Sequence, residues 1–235
     1  MPTQPIHTLQ SKHFVVVLTY TLAIALFAAP GIAQQLHKGV SVQMATTTNA
    51  KPMPAADDED ARIVTVTADA SVYFGTRQLT AEGLSGQMKT TPRRRDQDLY
   101  IKADAHAPFA SVEKVLDAAR IGFSAAVLLT SQPEPVASRK IVPPKGLKVS
   151  LGPESSVGAV VVQVLSAGER RPRLNVDGQQ IEWSALKATL ASRWQSGIEV
   201  VLLKADGEVN FEDVVHVIDA CSSMDAKVIL PEPEL

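Results

Sequence analysis

The longest apolar run lies near the start of the chain. FVVVLTYTLAIALFAAPGIA, residues 14–33, passes twenty positions without a charge, enough at about 1.5 Å per residue to cross roughly 30 Å of hydrocarbon. Beyond it the pattern changes to short alternations and helical stripes. Gly39-Val40-Ser41-Val42-Gln43-Met44 alternates apolar and polar residues like a short strand, and Arg62-Ile63-Val64-Thr65-Val66 is a clear one. After a turn at Ala68-Asp69-Ala70-Ser71, Val72-Tyr73-Phe74 returns as its hairpin partner. Leu79, Leu84 and Met88 fit one side of a helix that Thr91-Pro92 breaks, and Leu99-Tyr100-Ile101 is the next strand. Val112, Val115, Leu116 and Ala119 mark a second helix of period 3.6, closed by Gly122, before a last strand at Ala126-Val127-Leu128-Leu129. The order is β-β-α-β-α-β.

The pattern then repeats. KADAHAPFASVEKVLDA begins at Lys102 and KADGEVNFEDVVHVIDA at Lys204, 102 positions later. The same shift carries Leu79 onto Ile181, Leu84 onto Leu186, Met88 onto Leu190, Val112 onto Val214, Val115 onto Val217, Leu116 onto Ile218 and Ala119 onto Cys221 without a gap. Upstream, the hairpin recurs at 160–164 and 174–176 with its turn lengthened by four residues, and the leading strand recurs at 146–151. Matching apolar positions over helices and strands are what a shared core demands, so the repeat is a duplicated fold. Residues 132–145, with four prolines, separate the copies. The expected fold is α+β: one N-terminal transmembrane helix followed by two tandem small β-β-α-β-α-β domains. Its parts are a tail at 1–13, the span at 14–33, a tether at 34–60, a first domain at 61–131, a linker at 132–145 and a second domain at 146–235. The two copies are expected to pair within the chain as an internal pseudo-dimer.

Composition narrows the function classes. With 45% apolar and 20% charged residues, the 235-residue chain has the makeup of a folded protein, and a net charge of -2 gives no field that would draw nucleic acid. The Arg93-Arg94-Arg95 triplet is offset by Asp96 and Asp98 and reads as a solvated loop. One cysteine, Cys221, excludes an internal disulfide framework and a cysteine metal cluster. With Val214, Val217 and Ile218 it completes a buried helix face. The five histidines share no ligand spacing, and His106 and His216 do not occupy matching positions. No G-x-S-x-G, H-E-x-x-H or phosphate-binding glycine loop occurs. No catalytic, cofactor-binding or metal-binding residues are therefore assigned, and the chain does not read as an enzyme.

The apolar run admits two readings. It is either a retained anchor or a secretory signal whose Gly31-Ile32-Ala33 offers small residues for cleavage ahead of Gln34. Its length favours the anchor. Lys12 before it and the acidic Asp57-Asp58-Glu59-Asp60 well after it leave the N-terminus cytoplasmic. No Asp or Glu precedes Asp57, so the span has no carboxylate to carry a proton. The Thr-, Ala- and Pro-rich residues 34–60 read as an exposed tether.

Lys102 and Asp104, and again Lys204 and Asp206, stand where a strand ends and a helix begins. There an aspartate can accept hydrogen bonds from loop amides or meet the positive helix terminus. Together with Phe109 and Phe211 they form the candidate partner-binding set, acting through strand addition or a charged rim. Asp117 and Asp219 fall between buried helical positions and are expected to face solvent.

Ala29-Pro30 at the end of the span, residues 39–42, the hairpin over 66–75, Ala103-Asp104, Pro108-Phe109 and Asp117-Ala118 follow one another in the order and spacing of a known pattern. In these features the chain resembles the ExbD/TolR family of biopolymer transport proteins. The first copy matches throughout; the second has no span and carries Asn210 where Pro108 stands. The resemblance implies a single-pass inner-membrane protein with periplasmic domains, working beside an ExbB/TolQ-type channel that converts proton flow into force on the envelope. It also implies a TonB/TolA-like envelope protein or peptidoglycan as partner, and no cofactor. The family's proton carrier is an aspartate in the span; counting back fourteen positions from Pro30 lands on Val16, which cannot titrate. His13, at the cytoplasmic edge, reads as an interfacial residue. The resemblance thus implies an accessory subunit that is not itself the proton carrier, alongside a second ExbD-like subunit that retains the aspartate. The rival is a soluble periplasmic binding module released by cleavage after Ala33.

Overall fold

The computed structural model describes residues 40–90, 98–131, 143–152, 158–168 and 171–232. The apolar run 14–33 with Val16, the Arg93-Arg94-Arg95 triplet and residues 132–142 lie outside the described residues. Among the described residues no helix is long and apolar enough to cross a membrane.

The fold is mixed α and β. The first part runs β1 (Lys51–Pro52), β2 (Arg62–Val66), β3 (Val72–Phe74), β4 (Arg77–Leu79), α1 (Ala81–Thr90), β5 (Leu99–Ala103), α2 (Phe109–Arg120) and β6 (Ala125–Thr130). The second runs β7 (Lys145–Ser150), β8 (Ala159–Leu165), β9 (Arg173–Val176), β10 (Gln179–Ile181), α3 (Leu186–Gln195), β11 (Val200–Ala205), α4 (Phe211–Ser222) and β12 (Lys227–Ile229). The pairs β4 and β10, and α2 and α4, begin and end 102 positions apart. The strands β4 and β10 extend each expected hairpin into a three-stranded meander. In the second, Asp177 and Gly178 have φ of 51° and 79° and form a two-residue turn between Val176 and Gln179, the left-handed pair that a tight hairpin requires.

Among the described residues all strands join one sheet, in the order β10-β9-β8-β11-β12-β7-β6-β5-β2-β3-β4, with β1 pairing β7 off this path. The order reads almost alike from either end, and β7 is the centre. It lies parallel to β12 of its own half and antiparallel to β6 of the other, over six residue pairs from Ala125↔Ser150 to Thr130↔Lys145. Alternate strand residues point to one face. Val64, Ile101, Leu128, Leu147, Val162 and Leu203 join Phe109, Val112 and Leu116 of α2 and Phe211, Val214 and Ile218 of α4 in one buried cluster. A smaller cluster on the opposite face gathers Ala56, Ile63, Tyr100, Val127 and Leu129. There Gly146 permits a close approach: a Cβ on it would stand 2.5 Å from Val127 Cγ1.

The expectation of an exposed tether fails from Met44 onward. Ala45, Thr47, Ala50 and Ala56 are buried, and Lys51–Pro52 adds a short strand beside β7. Small side chains resemble linker composition, and they are also what lets a chain segment lie flat between strand ends and a helix.

Candidate functional site

An α-helix begins with amide donors that have no partner inside the helix. In α2 and α4 the other half of the molecule supplies acceptors. Phe109 N–H donates to Val209 O at 2.8 Å, and Phe211 N–H donates to Ala107 O at 2.9 Å. Ala110 N–H donates to Gly207 O at 3.0 Å, and Glu212 N–H to Ala105 O at 2.9 Å. Each bond has a counterpart obtained by exchanging residue numbers that differ by 102. Pro108 and Asn210 face each other across an antiparallel bridge at the centre of this arrangement. Beneath it, Phe109 and Phe211 are buried, with 4% and 1% of their surface exposed, so both rings belong to the core and not to an outer surface.

The other four residues singled out in the sequence differ between the halves. Lys102 and Asp104 are buried. Lys102 Nζ donates to Val40 O at 3.0 Å, and burial pushes its pKa down. Asp104 accepts the Gln43 N–H at 2.9 Å and the His106 N–H at 3.0 Å, while Ala105 N–H donates to Gln43 O at 2.7 Å. Lys204 is half-buried and Asp206 is exposed, with its carboxylate accepting the Ser166 N–H at 2.8 Å.

Residues 43–50 form a strap across the ends of β5 and β6 beneath α4. Ser131 N–H donates to Ala45 O at 3.0 Å and Thr47 N–H to Ser131 O at 2.9 Å. The hydroxyls of Thr47 and Thr130 share a hydrogen bond of 2.8 Å. The strap ends on Asp219, which accepts from Thr48 N–H at 3.2 Å, Thr48 Oγ1 at 3.0 Å, Asn49 N–H at 2.8 Å and Asn49 Nδ2 at 3.1 Å. Asp219 is therefore buried, against the expectation that it faces solvent. Helical periodicity sees only the helix's own neighbours; the strap that covers this carboxylate lies about 170 residues upstream. The Asp-Ala ending shared by both copies was the visible signal.

The corresponding place beneath α2 is a cleft of about 290 Å³ between that helix, the end of β11 and residues 230–232. Asp117, the counterpart of Asp219, here holds Arg120: Nε donates to Asp117 Oδ1 at 3.1 Å. The rest of the guanidinium donates to Leu151 O at 2.8 Å, Leu230 O at 2.9 Å and Pro231 O at 2.7 Å. Glu113 also lines the cleft. Burial and the neighbouring Asp117 raise its pKa, and Arg120 opposes them. At the matching positions α4 carries Ser222 for Arg120 and Val215 for Glu113. Elsewhere, Cys221 is enclosed and its thiol is pushed up to about 12 by burial. Among the described residues no group of acidic, histidine or cysteine side chains is placed to hold a metal ion.

The family model described as Biopolymer transport protein ExbD/TolR matches residues 14–133 and, separately, residues 133–230. No curated protein and no solved structure matches the chain at significant similarity.

Proposed function

The chain belongs to the ExbD/TolR family of biopolymer transport proteins, and from that premise we propose that it is a non-titrating accessory subunit of a proton-motive-force-transducing complex in the inner membrane. The family supplies the coarser role, transport accessory proteins typically associated with the inner membrane and working with ExbB/TolQ and TonB/TolA-type partners. In this reading residues 14–33 anchor the chain with its N-terminus in the cytoplasm, and residues 61–131 and 146–235 act in the periplasm as a pair joined by 132–145. Val16 stands at the carrier position, so a second ExbD-like subunit with an aspartate there moves the proton.

One observation carries the reading. The two segments matched by the family model meet through crosswise hydrogen bonds at their helix starts, which supports one chain supplying the paired periplasmic part. The test is to purify the full-length chain from native membranes and determine its intact mass and its companions. The expected outcome is a membrane-bound chain retaining residues 14–33 together with a channel subunit. A soluble product beginning at Gln34 would overturn this reading in favour of a released periplasmic binding module.

A further inference from the structure

At the outer ends of the sheet the two meanders keep one register. Val72 pairs with Leu79 and Tyr73 with Gln78 in the first half, as Leu174 pairs with Ile181 and Asn175 with Gln180 in the second. Each meander borders a groove. The first, of about 310 Å³, runs between β3, β4 and the starts of α1 and α2, with Ala70, Val72, Gln78 and Leu79 along one side. The second, of about 360 Å³, is lined by the residues 102 positions on, Pro172, Leu174, Gln180 and Ile181.

The floors differ. The first groove reaches Leu84, Ser111, Lys114 and Val115 on the two helices. In the second, their counterparts Leu186, Asp213, His216 and Val217 do not line the groove, and Trp183 does. Trp183 is packed against the core cluster. Its Nε1 donates to Pro172 O at 2.7 Å, and the Arg171 guanidinium lies 4.4 Å from the ring centre. Asp213 is buried, whereas Ser111, at the same place on α2, is half-buried. The counterpart of Trp183 is Ala81. The second half thus holds an indole in space that the first half leaves as groove.

The charges around the first groove define the guest. Lys114 is exposed and makes no hydrogen bond or ion pair among the described residues, while Glu82 lies near enough to feel its charge. Asp69, beside Ala70, accepts from Thr67 and Ser71, and Arg77 donates to Gln87. With Lys114 and Glu82 of opposite sign, a charged guest gains little. An ammonium at the rim of an apolar floor does favour the face of an electron-rich ring, and indole is the best of these. Arg171 already offers a cation to Trp183 in this way.

We propose that the groove between β4 and the starts of α1 and α2 receives the indole of a tryptophan side chain from another protein, seated on Leu79, Leu84 and Val115 with its face toward Lys114. Its mouth is bordered by the exposed Gln78, Thr80 and Lys114, so a ring still attached to its chain enters from the side. The site lies apart from the crosswise bonds at the helix starts. Ring binding is measured on this chain alone, so it and the accessory role can fail separately.

The experiment follows the methyl resonances of Val72, Leu79, Leu84 and Val115 in the full-length chain in detergent micelles, titrated with N-acetyltryptophanamide, N-acetylphenylalaninamide and free indole. The expected result is a saturable shift of these methyls by the tryptophan amide, about fivefold tighter than by the phenylalanine amide. Lys114→Gln, an exposed change, should remove that preference and leave the circular dichroism spectrum unchanged. Ala81→Trp should shift the same methyls without any ligand, as its own ring fills the groove, and should no longer respond to the amide. The proposal is overturned if the tryptophan amide does not saturate, if the preference survives Lys114→Gln, or if a folded Ala81→Trp still binds the amide. Tighter binding of free indole than of the amide also overturns it, in favour of a small-molecule site. Shifts that grow with protein concentration and vanish in Trp194→Phe overturn it in favour of a second copy, whose Trp194 is half-buried.

Discussion

Around α4, Asp219 draws the amides of Thr48 and Asn49 onto the helix and the chain fills its own cleft. Around α2, the equivalent Asp117 holds Arg120, and a cleft of about 290 Å³ lies beside the helix among the described residues. The backbone frame is the same in both places, down to helices that begin and end 102 positions apart. Several side chains separate them, among them Arg120 against Ser222, Glu113 against Val215 and Glu232 against Thr130. The two halves thus keep a matching core and a hydrogen-bonded centre while the side chains beside each helix diverge.

The comparison breaks most completely where the halves depend on each other. Phe211→Ala empties a fully enclosed ring position at the junction and is expected to cost about 3–5 kcal/mol, read as a lowered midpoint in chemical denaturation of the full-length chain. Next comes the carboxylate pair. Asp219→Ala strands the Thr48 and Asn49 amides and should cost about 2–3 kcal/mol. Asp117→Ala, which removes one of four hydrogen-bonded contacts of a partly exposed arginine, should cost less than about 1 kcal/mol. Hydrogen exchange at residues 47–50 should accelerate in the first variant and not in the second. Gly146→Ala places a methyl against Val127 and should destabilise by about 1–3 kcal/mol, visible as a lower melting temperature.

A smaller effect separates the two linings by pH. The pKa of Glu113 is raised in the folded chain, by burial first and by Asp117 second. Above that raised value the buried charge lowers stability. As pH falls through the raised value toward the ordinary glutamate value of 4.5, the folded state takes up a proton before the unfolded state does. Stability from this group therefore rises over that window. Denaturation midpoints of wild type and Glu113→Gln across it should converge at the acidic end and diverge toward neutral pH. Smallest of all, Lys51→Ala removes an exposed pair with Asp225 and should leave the melting temperature unchanged.

The apolar stripe Val112, Val115, Leu116 and Ala119 and its image at Val214, Val217, Ile218 and Cys221 were legible because a buried helix face imposes its own period. The strands around Val64, Ile101 and Leu128 were legible for the same reason. The short strands β4 and β10 were not, since Gln78 and Gln180 are exposed and give no alternation; the Asp177-Gly178 pair, a tight-turn sequence, is the one local sign of β10. Contacts set by the other half were hidden more deeply. Nothing in the order of residues says that β7 lies beside β6, or that a Thr-rich stretch after an apolar run is pinned by a carboxylate near the far end of the chain. Phe109 and Phe211 stand out as partner-binding candidates because the repeat marks them, and the repeat marks them because they fill the core.

The strap's dependence on Asp219 also sets an order in time. Residues 48 and 49 leave the ribosome long before the helix that holds them, since their acceptor lies about 170 residues further on. Local pairings such as β2 with β3 form early, whereas a closure this distant in sequence comes late. Until α4 emerges and docks, the strand ends of the first half and the strap over them stand without their cover.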